Sequence, residues 1–310
     1  MTFVFFVIIL LEPRMTWLFG FRRLKELGIL ALNRRNTECI LPQNPRSLFP
    51  VVDDKRRMHE LCRRIGVQSP ELLGIVNSHS QLRHLGDLLD DYRDFVLKPN
   101  RGATGRGILV ITGRYRDGFR RHDGKHLALD DLRQHICDNL SGMYSLGGQP
   151  DSALVQHRVR LHPDLAPICY RGIPDIRVLM YRDVPAMAML RLPTSKSKGR
   201  ANLHQGGIGA GIDLGNGITI HAVQRNRYVR RHPDTRELLM GRRVPQWAEV
   251  LEMSQRISRA VGLGYVGVDV VIDPELGPML LEANARPGLA IQLANASGLQ
   301  ARLREIDRNK

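Results

Sequence analysis

Apolar residues in this chain fall in short runs separated by turn-forming residues. Near the C-terminus, the run Val266 to Ile272 is broken only by Gly267 and Asp269, then comes Asp273-Pro274-Glu275-Leu276-Gly277-Pro278, then a second run from Met279 to Leu281. Two such runs around a Pro/Gly turn predict an antiparallel hairpin. With Asp273 opposite Pro278 across a four-residue loop, counting back places Asp269 opposite Glu282. Asn284, two residues further on, points to the same face. A second hairpin is predicted from PDIRVLMYRDVPAMAMLRLPT, turning at Arg182-Asp183, with Asp175 and Arg177 on one face of its first strand. Phe95 to Lys98 and Ile108 to Ile111 flank a loop carrying Gly102, Gly105 and Gly107, and read as strand–loop–strand. Shorter strands are expected at Leu72 to Val76 and Ala153 to Gln156.

Helical spacing appears in four places. Asp53 or Asp54 caps a helix whose stripe is Met58, Leu61, Cys62 and Ile65, stopped by Gly66. A polar helix is expected from Ser80 to Leu89, another from Leu129 to Leu140, and an amphipathic one from Trp247 to Val261 before Gly262. Residues 16–50 are basic and turn-rich.

This pattern already carries chemistry. Facing strands would hold the Asp269 and Glu282 carboxylates roughly 5 Å apart at Cβ, where like charges oppose pairing. A divalent cation resolves that conflict, and an oxygen-only set of two acids and an amide suits Mg²⁺. An edge hairpin in solvent, or a proton shared between the acids, would also resolve it. Lys55 lies in the first turn of its helix, against the helix dipole, and Lys98 lies inside an apolar strand. Both make sense beside an anion, and a glycine-rich loop can cover phosphates with backbone N–H groups. The loop lacks the Gly-Lys-Ser/Thr ending of a P-loop and the spacing of a dinucleotide fingerprint. The mobile-looking stretch TSKSKGRANLHQGGIGAGIDL holds Lys196, Lys198, Arg200, Asn202 and His204, and with the five glycines from Gly206 to Gly215 these fit either an anion site or a solvated loop.

At 310 residues with 43% hydrophobic and 25% charged content, the chain has the length and composition of a globular protein with room for two lobes. Its net charge of +15 favours anionic partners. The arginines are dispersed and aromatic content is only 5%, which argues against a dedicated nucleic-acid arm or base-stacking surface. Cys39, Cys62, Cys137 and Cys169 match no metal spacing and read as reduced thiols in a cytoplasmic protein. The apolar block Phe3 to Leu11 is too short to span a bilayer and lacks the flanks of a signal peptide. Met15 is an alternative start. No Cys–His or Ser–His pairing is evident.

Taken in order, DDK (Asp53 to Lys55), VLKPNRGATGRG (Val96 to Gly107), PDIR (Pro174 to Arg177), RANLHQGG (Arg200 to Gly207), GVD (Gly267 to Asp269) and EANARPG (Glu282 to Gly288) resemble the ATP-grasp ligases. The likeness is narrower to the alpha-L-glutamate ligase-related group, whose members join glutamate to a protein's C-terminal carboxylate. The resemblance implies an α/β (α+β) fold with two lobes clasping ATP, at 53–155 and 156–310, behind a reduced N-terminal segment at 1–52. It implies that Lys55 and Lys98 hold phosphates under Gly102, Gly105 and Gly107. Asp269, Glu282 and Asn284 would carry two Mg²⁺ ions, with Mn²⁺ as an alternative. Arg177, Arg200 and Asn202 would lie at the transferring phosphate, and Gln156, His157 and Asp175 at the nucleoside. His157 stands where the family often has Glu. The implied reaction makes an amide through an acyl phosphate, with glutamate and an acidic peptide or protein acceptor as substrates, in a family whose members often self-associate. A different amino acid, a sugar acid, an idle ATP-binding scaffold and an RNA-associated module are the competing readings. The carboxylate assignment predicts that Asp269→Asn or Glu282→Gln loses turnover with the fold intact.

Overall fold

The computed structural model describes residues 22–102 and 105–309. The block Phe3 to Leu11 and the alternative start Met15 lie outside the described residues. No helix among those residues is long and apolar enough to cross a membrane.

Two antiparallel sheets carry the chain. The first is built from β1 (Leu72–Val76), β2 (Phe95–Pro99), β3 (Leu109–Tyr115), β4 (Gly118–Arg121), β5 (His126–Leu127) and β6 (Ala153–Gln156), in the order β1-β6-β2-β3-β4-β5. The second holds β7 (Asp175–Tyr181), β8 (Val184–Leu192), β9 (Ile208–Ile212), β10 (Thr219–Gln224), β11 (Arg227–Tyr228), β12 (Tyr265–Asp273) and β13 (Gly277–Asn284), in the order β11-β10-β9-β8-β7-β12-β13. Four longer helices are α1 (Lys55–Arg64), α2 (Leu129–Leu140), α3 (Trp247–Val261) and α4 (Gln300–Arg308).

Each sheet has its own core. Phe95, Leu97, Ile111 and Phe119 of the first pack with Leu132, Ile136 and Leu140 of α2. Phe95 and Phe119 meet edge to face at 5.6 Å, the arrangement their ring quadrupoles favour. In the second, Val268, Val270 and Ile272 share one core with Val250, Ile257 and Val261 of α3 and with Met58, Leu61 and Cys62 of α1. All nine residues of β12 are buried, between β7 and β13 in the sheet and in one core with α3 and α1. Asn44, only 3% exposed, ties the short helices before α1 to this sheet. It donates Nδ2 to the carbonyls of Tyr265 (2.7 Å) and Ala285 (3.0 Å), and accepts from the Tyr265 N–H.

The expected elements occur with small shifts. Asp54, not Asp53, caps α1, accepting from the N–H groups of Arg56 and Arg57. The segment expected as one helix from Ser80 splits into a 3₁₀ turn, His79–His84, and a single α turn, Leu85–Leu89. Arg182 and Asp183 both adopt positive φ, 48° and 63°, as a two-residue hairpin turn requires. All four cysteines are free thiols.

Candidate active site

β12 and β13 form the expected hairpin, and Asp269 pairs with Glu282. The route to that pairing differs from the sequence count. The loop is three residues, with Asp273 opposite Gly277 rather than Pro278. Asp273 Oδ1 accepts from the N–H groups of Glu275 and Leu276, and Gly277 takes φ 76°, the left-handed closing position of a three-residue hairpin. A bulge between Val270 and Asp269, with Leu281 as the extra residue, then restores the alignment.

Asp269 is 0% exposed, so its charge needs partners. Arg177, opposite it on β7, donates Nε to Oδ1 at 2.7 Å and Nη2 to Oδ2 at 2.6 Å. Arg191 on β8 donates Nη2 to Oδ2 at 2.6 Å while its Nε pairs with Asp175. Asn284 donates Nδ2 to Asp269 at 3.2 Å and to Glu282 Oε1 at 3.3 Å. Burial would raise the Asp269 pKa, but Arg177 and Arg191 hold it well below the carboxylate range. Burial pushes the Asp175 carboxyl up, against the pull of Arg191. Asp175, Arg177, Asp269, Glu282 and Asn284 thus form one polar ribbon over three strands. Arg191 joins it from a fourth and was missed in the sequence, where it reads as one charge in an apolar strand like any edge arginine.

Facing this ribbon are the two lysines. Val52, Lys55, His59, Ser69, Lys98, Gln156 and Glu282 line one pocket between the sheets. Lys98 is 6% exposed, and among the described residues nothing accepts a hydrogen bond from it. Burial, with Lys55 close by, lowers its pKa to about 7, and Glu282 pulls the other way. Burial lowers Lys55 as well, offset by Glu282, Asp151, Asp54 and Asp53. Lys55 donates Nζ to the carbonyls of Asn100 (3.1 Å) and Gly102 (2.8 Å), which fixes it to the start of the glycine loop. Gly105 and Gly107 have φ of 71° and 72°, and Tyr144 packs where a side chain on Gly107 would go. Gln156 donates to the Pro70 carbonyl at 3.4 Å. The His157 N–H donates to the Glu71 carbonyl at 2.9 Å, and its Nε2 lies 4.0 Å from Asp273.

Two sequence expectations change here. A Ser–His pair does exist, His59 Nδ1 to Ser69 Oγ at 2.9 Å, because the turn after α1 brings Ser69 back beside it. The stretch from Thr194 to Gly207 is tied down rather than loose. Thr194 bonds Ser197 and the Gly206 carbonyl, and Asn202 Oδ1 accepts from His204 N–H. Arg200 donates to Gln205 Oε1 at 3.1 Å and packs against Gly105.

The donor types suit a divalent ion: two carboxylates and an amide on one face, with oxygen the only carboxylate donor. Among the described residues no three of His, Cys, Asp and Glu cluster as a self-sufficient metal cage. Such a site would depend on ligands brought by a substrate. The lone pairs of Asp269 are filled by guanidinium and amide donors, so a cation must displace at least one of them, whereas Glu282 accepts from Asn284 and its carboxyl lies against that of Asp269.

No curated protein matches the chain. Among solved structures it is similar to the ATP-grasp ligase PsnB complexed with a minimal precursor (15% identity, covering 96% of this chain and 73% of that one, TM-score 0.46). It is similar to D-alanyl-alanine synthetase A from Vibrio cholerae (11%, 84% and 65%, TM-score 0.51). A biotin carboxylase complex from Campylobacter jejuni also matches (12%, 83% and 46%, TM-score 0.51). At their identities the last two likenesses show the fold alone. Residues 34–308, which take in both sheets and every residue of the polar ribbon, match the sugar-transfer associated ATP-grasp family, and the chain belongs to that family.

Proposed function

We propose that the protein is an ATP-dependent carboxylate–amine ligase, and that it adds L-glutamate to an acidic peptide or protein acceptor. One observation carries the reading: Lys98, buried and with no hydrogen-bond acceptor among the described residues, shares a pocket with Glu282, the partner of Asp269 across the hairpin, and with Lys55, which is bonded to the start of the glycine loop. A polyphosphate chelating Mg²⁺ satisfies both sides at once. Lys98 and Lys55 would hold its oxygens, and Glu282, Asp269 and Asn284 would hold its metal.

When bound, the magnesium nucleotide supplies the phosphoryl group that turns a carboxylate into an acyl phosphate, from which an amine displaces phosphate to leave an amide. The chain's own work is positioning and charge neutralisation, the main demands of phosphoryl transfer. Lys55 and Lys98 set the nucleotide's depth under Gly102, Gly105 and Gly107. Arg177 and Arg191, which hold Asp269 here, would be the guanidinium groups available to the charge on the transferring group if a cation took their place on that carboxylate. Arg200 and Asn202 would meet the transferring group, while Gln156, His157 and Asp175 would border the nucleoside. The lobe boundary between residues 155 and 156 belongs to this reading. The reading requires no covalent enzyme intermediate, and among the described residues no carboxylate orients His59 for a Ser69 nucleophile.

The family's sugar-transfer association favours a second reading, in which the carboxylate is that of a sugar acid. Calorimetry with a non-hydrolysable ATP analogue tests the shared part of both. Wild-type protein should bind it only with Mg²⁺, and Lys98→Met should not bind it. Equal affinity in the two proteins would refute the pocket assignment.

A further inference from the structure

The stretch after β8 presents cations from a scaffold too well bonded to be a solvated loop. Thr194 is 0% and Ser197 2% exposed, and each donates a backbone N–H to the other's hydroxyl at 2.9 and 3.1 Å. The Gly206 carbonyl accepts from Thr194 at 2.9 Å and from Gln224 at 2.8 Å. Ser195 is anchored to Asp234, whose N–H donates to fully buried His232, and His232 Nε2 bonds the Pro193 carbonyl at 3.0 Å. Against this scaffold lies the segment before β7. The Arg171–Gly172 backbone packs so tightly on Gly199 that neither Gly172 nor Gly199 has room for a side chain.

Four exposed cations result: Arg171, Lys196, Lys198 and Arg200. Among the described residues none of them has an ion-pair partner. Arg171 and Lys198 both hold left-handed φ, 46° and 53°, where glycine or asparagine would be less strained. Arg200 reaches the glycine loop at Gly105, and Arg171 and Arg200 lie close enough to His122 of the other sheet to help lower its pKa, after burial. The cluster therefore sits at the mouth of the cleft, where both sheets meet.

We propose that this platform binds the acidic segment of a polypeptide acceptor, its successive carboxylates met by Arg171, Lys196 and Lys198 while its reacting end enters beside Arg200. The inference rests on the ligase reading and adds where the acceptor lies. A nucleobase would want a free aromatic face on which to stack. Tyr170, the tyrosine beside the platform, has the Arg171 guanidinium over its ring at 5.5 Å. A flexible chain of carboxylates needs only the charges.

The test is fluorescence anisotropy of a labelled hexaglutamate peptide with the full-length protein at low and physiological ionic strength, alongside binding of a non-hydrolysable ATP analogue. The Arg171→Ala/Lys198→Ala double variant should weaken the peptide about three- to tenfold per charge removed and flatten its salt dependence. It should leave nucleotide affinity unchanged. Unaltered peptide affinity would overturn the platform. So would a polyuronate or RNA oligomer that binds wild type more tightly than the peptide and is weakened equally by the variant. Peptide binding without nucleotide binding would uphold the platform and count against the ligase reading.

Discussion

Arg177 grips Asp269 with two parallel hydrogen bonds, at 2.7 and 2.6 Å, from the strand next to it. This makes Asp269 half of a buried ion pair before any metal arrives. Removing one member of such a pair leaves the other charge uncompensated and costs about 3–5 kcal/mol. Asp269→Asn should therefore lower stability by roughly that amount as well as abolish turnover, which corrects the expectation that its fold stays intact. Glu282, partly exposed and, among the described residues, tied to Asn284 and Asp269 without a guanidinium partner, offers the cleaner variant. Glu282→Gln should unfold within about 1 kcal/mol of wild type in urea while losing at least ~10²-fold in turnover.

Lys98 ties stability to pH. Its folded pKa of about 7 lies below the ordinary 10.5, so between those values the unfolded chain holds a proton that the folded chain lacks. Stability should fall as pH drops from 10.5 to about 7, and the loss is complete below that. Lys98→Met removes the penalty. It should raise stability near pH 7 by ~2–4 kcal/mol and flatten the profile in that window. A variant that melts lower than wild type at pH 7 would contradict this.

The same lysine must be charged to hold an anion. Nucleotide binding at pH 8 should take up a proton, seen as a calorimetric enthalpy that varies with the ionisation enthalpy of the buffer. Buffer-independent heats would mean that Lys98 is already fully protonated in the free protein.

Asn44 holds the two strands of the acidic hairpin at their open end, with three hydrogen bonds to buried backbone. Asn44→Ala leaves those groups unpaired and should cost about 2–4 kcal/mol. Hydrogen exchange at Tyr265 should rise with it, and an unchanged rate would show that water replaces the side chain at little cost.

The pairing of Asp269 with Glu282 was legible because β alternation survives errors that cancel. A loop read one residue too long and an unseen bulge at Leu281 compensated one another. Lys98 was legible because a cation within a β2-like apolar run has few innocent explanations. Arg191 was not, since its meaning lies in Asp175 and Asp269 on other strands, and strand order cannot be read from one chain. The rigidity of the 194–207 stretch was hidden for the same reason: its anchors, Gln224, His232 and Asp234, arrive from downstream. The His59–Ser69 pair depends on a turn angle that residue spacing leaves open.

The account stands on this cleft activating a carboxylate with ATP, and trapping with hydroxylamine addresses that directly. Protein, MgATP and hydroxylamine are incubated with a panel of amino acids, acidic peptides and sugar acids, and hydroxamate and ADP are both quantified. The account predicts that one carboxylate class gives hydroxamate and ADP in equal amounts, and that Glu282→Gln gives neither. ADP release with no hydroxamate from any member, or equal hydroxamate from the variant, would contradict it.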